Sequence, residues 1–208
     1  MSEPFDVVRR GYDRLGRGYR EWSAEAAVRR RWLAVLLADL APGSLVVDLG
    51  CGPGEPVTRT LAELHRVIGV DGSRVQLDLA RSAAPTARLV QADMTRFALR
   101  PGSVDAVASF YALGHVPAGR HAPLFVAVAR WLRPGGLFLT SAPVGAGDGV
   151  EPDWLGVSMF FGGIGEAATR RAVTDAGLRL DRMETVEEDE GGGHLVRFLW
   201  LIARKPAR

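Results

Sequence analysis

The sequence contains a single cysteine, no apolar stretch that approaches about 18 residues, and no apolar leader at its amino end. One thiol, Cys51, excludes an internal disulfide and favours a reducing, intracellular setting. The opening segment MSEPFDVVRR is partly acidic and lacks the apolar core of a signal peptide. These absences predict a cytoplasmic protein with no membrane partner.

Runs of like charge and stripes of basic and aromatic residues are absent as well. The formal net charge is only +2, although arginine far outnumbers lysine. Because nucleic-acid binding relies on clustered positive charge, no nucleic-acid partner is expected. The 208 residues, 47% of them hydrophobic, suffice for one domain with a full core. Residues 1–208 are therefore predicted to form a single domain.

The strongest local pattern is the stretch LVVDLGCGPG at residues 45–54. The apolar run before Asp48 predicts a buried strand. Gly50, Gly52 and Gly54 follow at every second position and predict a tight loop, since glycine permits positive φ and close approach of a ligand. The loop leads into a helix N-terminus, whose backbone N–H groups can bind that ligand.

Strands and helices alternate through residues 45–141, which predicts a parallel sheet with helices on both faces. Residues 1–22 are expected to form a mobile helical flap, because three glycines weaken an otherwise amphipathic pattern. Residues 142–164 interrupt the alternation and are interpreted as a long loop on the substrate side. Two final strands, joined near residues 189–193, are expected to pair as an antiparallel hairpin.

Three acidic residues, Asp48, Asp71 and Asp93, lie where predicted parallel strands end, and such ends share one crevice. Asp71 lies about 20 residues beyond the glycine loop, where a carboxylate can accept bonds from ribose hydroxyls. Asp93 can accept a bond from the exocyclic amine of adenine. The G-x-G-x-G spacing after an acidic residue suits an ammonium group better than a pyrophosphate. A nucleoside with an amino-acid tail and no phosphate, S-adenosylmethionine, fits this pattern.

The sequence resembles class I S-adenosylmethionine-dependent methyltransferases of the bacterial small-molecule type. The matching stretches are VVDLGCGPG (46–54), VIGVDGS (67–73), QADMTRF (91–97), VDAVASFYALGHVP (104–117) and LRPGGLFLTS (132–141). They occur in the family's order and spacing. The resemblance implies a three-layer α/β Rossmann-like fold whose seven-stranded sheet has the order 3-2-1-4-5-7-6, with the last strand antiparallel.

The resemblance also implies S-adenosylmethionine as cofactor, S-adenosylhomocysteine as product, and roles for individual residues. Asp71 would hold the ribose, Asp93 and Met94 the adenine, and the glycine loop the methionine part. Asp48 is expected behind that loop, and Cys51 is interpreted as a small buried spacer. The residues assigned to the cofactor are Tyr19, Asp48, Gly50, Cys51, Gly52, Asp71, Gly72, Asp93, Met94 and Phe110. No metal ligands are assigned.

Methyl transfer to a hydroxyl or a protonated amine needs a proton acceptor within hydrogen-bond reach. The catalytic candidates are His115, His194 and Tyr19, and for His115 a purely structural role in its loop remains an alternative. An apolar, aromatic wall is expected to bind a small aromatic or hydrophobic metabolite that is methylated on oxygen or nitrogen. The residues assigned to this substrate are Tyr12, Tyr111, His115, Trp154, Met159, Phe160 and Phe161.

Two other functions remain open at the level of sequence. One is a nicotinamide-dependent oxidoreductase, which the glycine spacing and the antiparallel last strand oppose. The other is a catalytically silent S-adenosylmethionine-binding protein, which the intact glycine loop and Asp71 oppose. The oligomeric state is expected to be a monomer or a homodimer, with a small molecule as the partner.

Overall fold

The computed structural model describes residues 3–23, 27–189 and 195–207. The helices are α1 (Pro4–Ser23), α2 (Ala27–Ala38), α3 (Val57–Leu64), α4 (Arg74–Ala83), α5 (Ala118–Trp131) and α6 (Gly165–Asp175). The strands are β1 (Leu45–Leu49), β2 (Arg66–Asp71), β3 (Arg88–Gln91), β4 (Val104–Ser109), β5 (Leu132–Pro143), β6 (Ala146–Trp154), β7 (Val157–Ile164), β8 (Arg179–Asp189) and β9 (Leu195–Arg204).

Seven of these strands form one sheet in the order β3-β2-β1-β4-β5-β9-β8. Strands β1 to β5 run parallel, whereas β9 pairs antiparallel with both β5 and β8. β6 and β7 form a separate two-stranded sheet. When the seven strands of the main sheet are numbered without them, β8 and β9 become strands six and seven, and the order is the expected 3-2-1-4-5-7-6. The predicted fold class is confirmed.

Helices cover both faces of the sheet because its strands carry buried side chains on each side. Against one face, α2 and α3 pack in a cluster that contains Trp32 and Trp200, whose rings stack with centroids 5.4 Å apart. Against the other face, α5 and α6 pack around Phe125 and Phe138. The carboxyl ends of β1, β2 and β4 are left uncovered by these four helices, and this edge carries the site.

Helix α1 lies across that open edge of the sheet. Its backbone leaves helical geometry at Gly16, where φ is 51° and ψ is −127°. Such a positive φ is accessible to glycine at little cost, so the helix can bend there. The helix expected within residues 1–22 is therefore present as two segments joined by a kink.

The sequence suggested a loop over residues 142–164, but Ala142 and Pro143 end β5 and residues 146–164 form a β-hairpin. β6 and β7 pair antiparallel from Ala146↔Ile164 to Trp154↔Val157. β6 is exposed along nearly all of its length, whereas β7 buries Met159 and Phe160. The glycine-rich composition hid the strand pattern, because glycine in a strand interior ordinarily weakens it.

Candidate active site

A cavity of about 560 Å³ opens at the carboxyl ends of the parallel strands. Its floor comes from the glycine loop after β1 and from the residues that follow β2, β3 and β4, and its roof comes from α1. The sequence-predicted residues that line it are Tyr12, Tyr19, Gly50, Gly52, Asp71, Gly72, Asp93, Met94, Phe110, Tyr111 and His115. The prediction that the strand ends share one crevice holds for Asp71 and Asp93, whereas Asp48 does not line this cavity.

The glycine loop adopts backbone angles that other residues rarely reach. Gly50 and Gly52 have φ values of 73° and 53°. A Cβ placed on Gly50 would lie 2.2 Å from the Cβ of Ala112, so the loop and the segment after β4 approach each other too closely for a side chain. Glycine at this position is therefore required by packing as well as by φ.

Asp71 ends β2 and is tied to the backbone on both sides. Its Oδ2 accepts the N–H of Gly52 at 2.8 Å, and its Oδ1 accepts the N–H of Ser73 at 2.8 Å. Burial raises the pKa of Asp71 to about 6, although these N–H groups act in the opposite direction. The carboxylate thus holds the glycine loop in place and still presents lone pairs to the cavity.

Asp93 follows β3 and lines the same cavity. Its Oδ1 accepts both the backbone N–H and the hydroxyl of Thr95, each at 2.8 Å. These bonds fix the orientation of the carboxyl group at the start of the irregular segment 92–103. Met94 and Gly72 line the same cavity.

A second, small cavity of about 30 Å³ lies beside the glycine loop and is lined by Asp48, Arg29 and Tyr19 among others. Asp48 is 2% exposed, and the hydroxyl of Thr58 donates to its Oδ2 at 2.7 Å. Burial raises the pKa of Asp48 to about 7. The sequence analysis placed Asp48 at the end of the first strand, whereas β1 continues to Leu49. The Asp48 side chain lies beside the glycine loop in the small cavity.

Helix α1 is fastened to the body of the domain by polar bonds near α4. The hydroxyl of Ser73 donates to Asp13 at 2.7 Å. The side-chain amide of Gln76 donates to the carbonyls of Tyr12 and Gly16, at 3.2 and 3.0 Å. At its other end, Arg20 forms an ion pair with Glu55 beside the glycine loop. These bonds hold the roof over the cavity.

Tyr12 and His115 form a hydrogen-bonded pair in the cavity wall. His115 Nδ1 lies 2.9 Å from the carbonyl oxygen of Phe160, so Nδ1 carries the proton and donates it. Nε2 then accepts the hydroxyl proton of Tyr12 across 2.7 Å. Burial lowers the pKa of His115 to about 4 and raises the pKa of Tyr12 well above its ordinary value. Both side chains are therefore neutral at physiological pH.

The aromatic residues of the hairpin lie behind this pair. The Trp154 ring contacts the rings of Tyr12 and Phe161, with centroids 6.0 and 5.7 Å apart. Met159 and Phe160 belong to the buried interior. Trp154 and Phe161 therefore pack against Tyr12 and His115. None of the four side chains of the expected wall, those of Trp154, Met159, Phe160 and Phe161, is part of this cavity lining.

Of the remaining predicted residues, Cys51 lines the small cavity and is 7% exposed. Burial raises the pKa of the Cys51 thiol, in keeping with a spacer and not a nucleophile. His121, which was not among the assigned residues, is fully buried, bonds to the carbonyl of Val116 at 2.9 Å and does not line the cavity. His194 lies outside the described residues.

Sequence reasoning missed several residues of the site. Arg29 lines the small cavity, and its guanidinium lies 4.5 Å from the ring centroid of Tyr111. Helical spacing places Arg29 on the same face as Trp32, Leu33 and Leu36, which is a signal that could have found it. The missed residues of the larger cavity include Phe5, Val8, Arg9, Arg96 and Arg120.

The middle of the chain matches a family model described as a methyltransferase domain, over residues 46–136. A trans-aconitate 2-methyltransferase of Paracidovorax citrulli is 39% identical over 108 residues, which are 50% of this chain and 40% of that protein. The chain spans less than half the length of the first curated relatives that it matches.

Solved structures resemble the chain over most of its length. An S-adenosylmethionine-dependent methyltransferase of Mesorhizobium loti is 26% identical, with a TM-score of 0.65 over 82% of this chain and 96% of that one. The magnesium protoporphyrin IX methyltransferase of Synechocystis, solved with bound S-adenosylmethionine, is 19% identical. Its TM-score is 0.76 over 99% of this chain and 98% of that one, which shows a shared fold.

Within the part of the chain that the structure describes, no helix has the length and apolar character needed to cross a membrane.

Proposed function

We propose that this chain, a class I S-adenosylmethionine-dependent methyltransferase by its fold and its matched domain, transfers a methyl group from S-adenosylmethionine to a small acidic molecule. The observation that carries the proposal is the cavity itself. It joins the glycine loop, Asp71 and Asp93 at one edge of the sheet beneath α1. When bound, S-adenosylmethionine supplies an electrophilic methyl group.

The residues of the larger cavity fit the nucleoside part of this cofactor. Asp71 presents lone pairs to ribose hydroxyls while its two backbone bonds keep it aimed at the cavity. Asp93 and Met94 lie one strand further along the edge, where they would meet the adenine. Phe5 of α1 closes over Gly72, since a Cβ on that glycine would lie 2.7 Å from the Phe5 ring.

The side chains around the small cavity match the charged groups of the cofactor's zwitterionic tail. Asp48 supplies a carboxyl group that would face the ammonium of the tail, and Arg29 supplies a guanidinium that would face its carboxylate. Tyr19 lines both cavities and would lie where the tail meets the sulfonium. Opposite charges on adjoining walls match a ligand that carries both charges and no phosphate.

The acceptor is proposed to be an acid because arginines line the larger cavity. Arg9, Arg96 and Arg120 contribute to its wall from α1, from segment 92–103 and from α5. Arg9 is engaged by Asp6 and Asp13, whereas Arg96 and Arg120 are exposed. Several of the curated relatives are named trans-aconitate 2-methyltransferases, and trans-aconitate is a carboxylic acid. The aromatic or hydrophobic acceptor expected from the sequence has less support, since its wall does not line the cavity.

The state of His115 also favours an acceptor that is already ionised. A general base works best when its pKa is near the working pH, whereas burial lowers the pKa of His115 to about 4. Its free ring nitrogen is moreover occupied by the hydroxyl of Tyr12. A carboxylate oxygen needs no base, so Tyr12 and His115 would shape the cavity and exclude water.

Calorimetry with S-adenosylhomocysteine and with NADH tests the cofactor. Binding of S-adenosylhomocysteine alone supports the proposal, and binding of NADH alone would replace it with an oxidoreductase.

Mass spectrometry then tests methylation of trans-aconitate and of related di- and tricarboxylic acids against neutral phenols. Methylation of phenols but of no acid would overturn the acidic acceptor. Cofactor binding without methylation of either class would leave a silent binding protein.

Two variants sharpen this test. Arg120→Gln should raise the KM for an acid acceptor with little effect on S-adenosylhomocysteine binding, whereas Arg100→Gln, in a residue that does not line the cavity, is the matched control. His115→Gln should lower turnover of an acid by less than about tenfold, because general bases commonly contribute about 10²–10⁴-fold. A larger loss would return His115 to the role of base.

A further inference from the structure

Tyr111, just beyond the end of β4, has a backbone conformation that is unusual for its residue type. Its φ is 59°, in the left-handed region that bulky side chains rarely adopt. Such backbone strain persists only where the surrounding structure fixes the residue. Tyr111 also lines the cavity, so the groups that fix it bear directly on the site.

Contacts from four elements hold Tyr111 in place. Its backbone N–H donates to the hydroxyl of Ser141 on β5 at 2.7 Å. Its ring lies beneath the guanidinium of Arg29 on α2 and packs edge-on against Phe198 of β9, with centroids 4.9 Å apart. Its phenolic hydroxyl donates to the carboxylate of Glu188 on β8. Burial and this bond raise the pKa of Tyr111, so the phenol keeps the proton that it donates.

Glu188 joins Tyr111 to the core of the sheet. Its Oε2 accepts from Tyr111, and its Oε1 accepts the indole N–H of Trp200 at 3.1 Å. Trp200 is fully buried in β9 and also contacts Phe110 and Tyr111 edge-on, with centroids 4.9 and 5.4 Å away. One carboxylate therefore connects a rigid core residue with the strained residue of the site.

The segment that Tyr111 belongs to lies directly against the glycine loop. Phe110, Tyr111 and Ala112 all line the cavity. Gly50 and Ala112 are so close that a Cβ on Gly50 would meet the Ala112 Cβ at 2.2 Å. A shift of residues 110–112 would therefore move the loop that receives the cofactor.

From this chain of contacts we infer that Glu188 is a positioning residue for the cofactor site, acting through Tyr111 on residues 110–112 and on Gly50. The inference rests on the proposed function, because it assigns the consequence to S-adenosylmethionine binding. Glu188 itself does not line the cavity and would touch neither cofactor nor acceptor. Its effect is transmitted by the position of residues 110–112, which follow β4.

The test measures the dissociation constant of S-adenosylhomocysteine by calorimetry, well below the melting temperature of each variant. Glu188→Ala should weaken binding about tenfold, because it leaves buried donors without an acceptor. Glu188→Gln keeps an amide oxygen and should recover part of that loss. Glu187→Ala is the matched control, since Glu187 is the exposed neighbour on the same strand, and binding should stay within about twofold.

A double-mutant cycle separates positioning from general stability. If Glu188 acts through the phenol, Tyr111→Phe and Glu188→Gln each weaken binding, and the double variant is no weaker than the worse single variant. Independent, additive losses would overturn the inference. So would a lowered melting temperature for Glu188→Ala with an unchanged dissociation constant. If Glu188→Ala does not fold, Tyr111→Phe carries the same expectation because it keeps the ring packing.

The outcomes also separate this inference from the proposed function. Wild-type protein that fails to bind S-adenosylhomocysteine contradicts both. Wild-type binding together with unchanged binding in Glu188→Ala and Tyr111→Phe contradicts the positioning role alone. The proposed function would then stand on its own evidence.

Discussion

The hydroxyl of Tyr12 on α1 donates to Nε2 of His115, 2.7 Å away and 103 positions further along the chain. Because His115 Nδ1 donates to the carbonyl of Phe160, the imidazole is held between the N-terminal helix and the hairpin strand β7. Each ring nitrogen is satisfied in the neutral state. Protonation would force a second N–H against the pair and charge a buried ring, which explains the direction of the pKa shift.

The first prediction concerns stability against acid. The pKa of His115 is about 4 in the folded protein and 6.5 in the unfolded chain, so the unfolded state binds more protons between those values. The contribution of neutral His115 to stability is therefore present above about pH 6.5 and is lost as the pH falls toward 4. His115→Gln should flatten the pH profile of the unfolding free energy in this window by up to about 1.4 kcal/mol per pH unit. The unfolding free energy of both proteins would be measured by urea denaturation from pH 7 to pH 4. The same pH dependence in both proteins would contradict this prediction.

The second prediction concerns Asp71. Asp71→Asn presents an amide to one of the two backbone N–H groups that now share the carboxylate, so the glycine loop loses an acceptor. We expect the affinity for S-adenosylhomocysteine to fall by tenfold or more, equivalent to about 1.4 kcal/mol or more. Asp78→Asn, on the exposed side of α4, is the control and should leave binding unchanged. Calorimetry that finds equal affinities in both variants would remove Asp71 from the site.

The third prediction concerns Asp48, whose folded pKa of about 7 lies above the 3.8 of an ordinary aspartate. Here the folded state binds the extra proton, so burying Asp48 destabilises the ligand-free protein progressively as the pH rises from about 4 to about 7. Asp48→Asn removes this cost and should stabilise the ligand-free protein at pH 8 by a few kcal/mol, on the order of its pKa difference. The advantage should shrink toward pH 4, and S-adenosylhomocysteine should bind more weakly. A stability difference that does not change with pH would contradict the assignment.

The fourth prediction concerns the contact between α1 and β7. A Cβ on Gly11 would lie 2.7 Å from Met159 Cε and 3.3 Å from the carbonyl oxygen of Ser158. Gly11→Ala should therefore push the roof outward, costing about 1–3 kcal/mol of stability and weakening S-adenosylhomocysteine binding. Thermal melts and calorimetry measure the two effects.

Gly18→Ala is the matched control for that substitution, because a Cβ there meets nothing within 4 Å on the same helix. It should be neutral or stabilise by about 0.5–1 kcal/mol, as alanine does in an exposed helix. Shortening the opposing side chain in Gly11→Ala/Met159→Ala should restore part of the cofactor affinity. If Gly11→Ala behaves like Gly18→Ala, α1 does not depend on this close contact.

The parallel half of the fold could be predicted from sequence because its signals are local. A short apolar run, an acidic residue and closely spaced glycines identify a strand end and its loop without knowledge of distant residues. Gly50, Asp71 and Asp93 were therefore placed correctly in one crevice. Their shared position follows from the geometry of parallel strands and needs no side-chain detail.

The rest of the site depends on contacts between segments that are far apart in sequence. Arg29, Arg96 and Arg120 reach the cavity through helix orientation and loop shape, and arginine is too frequent in this chain for any one of them to stand out. The hairpin was hidden because both strands carry glycines and because β6 is exposed along nearly all of its length. Its aromatic side chains were placed on the cavity wall, whereas tertiary packing directs them behind Tyr12 and His115.

The hairpin β6–β7 begins at Ala146 and ends at Ile164. These two residues pair with each other, so the two ends of the hairpin are neighbours. A segment with adjacent ends can be lengthened, shortened or exchanged without disturbing any pairing of the seven-stranded sheet. A hydrogen bond from His115 Nδ1 to the carbonyl of Phe160 ties the hairpin to the cavity wall, and that carbonyl is a backbone atom that any amino acid supplies. A hairpin grafted from another protein would therefore keep the imidazole in place if it kept a carbonyl at that point and the packing that Met159 and Phe161 supply against α1 and His115.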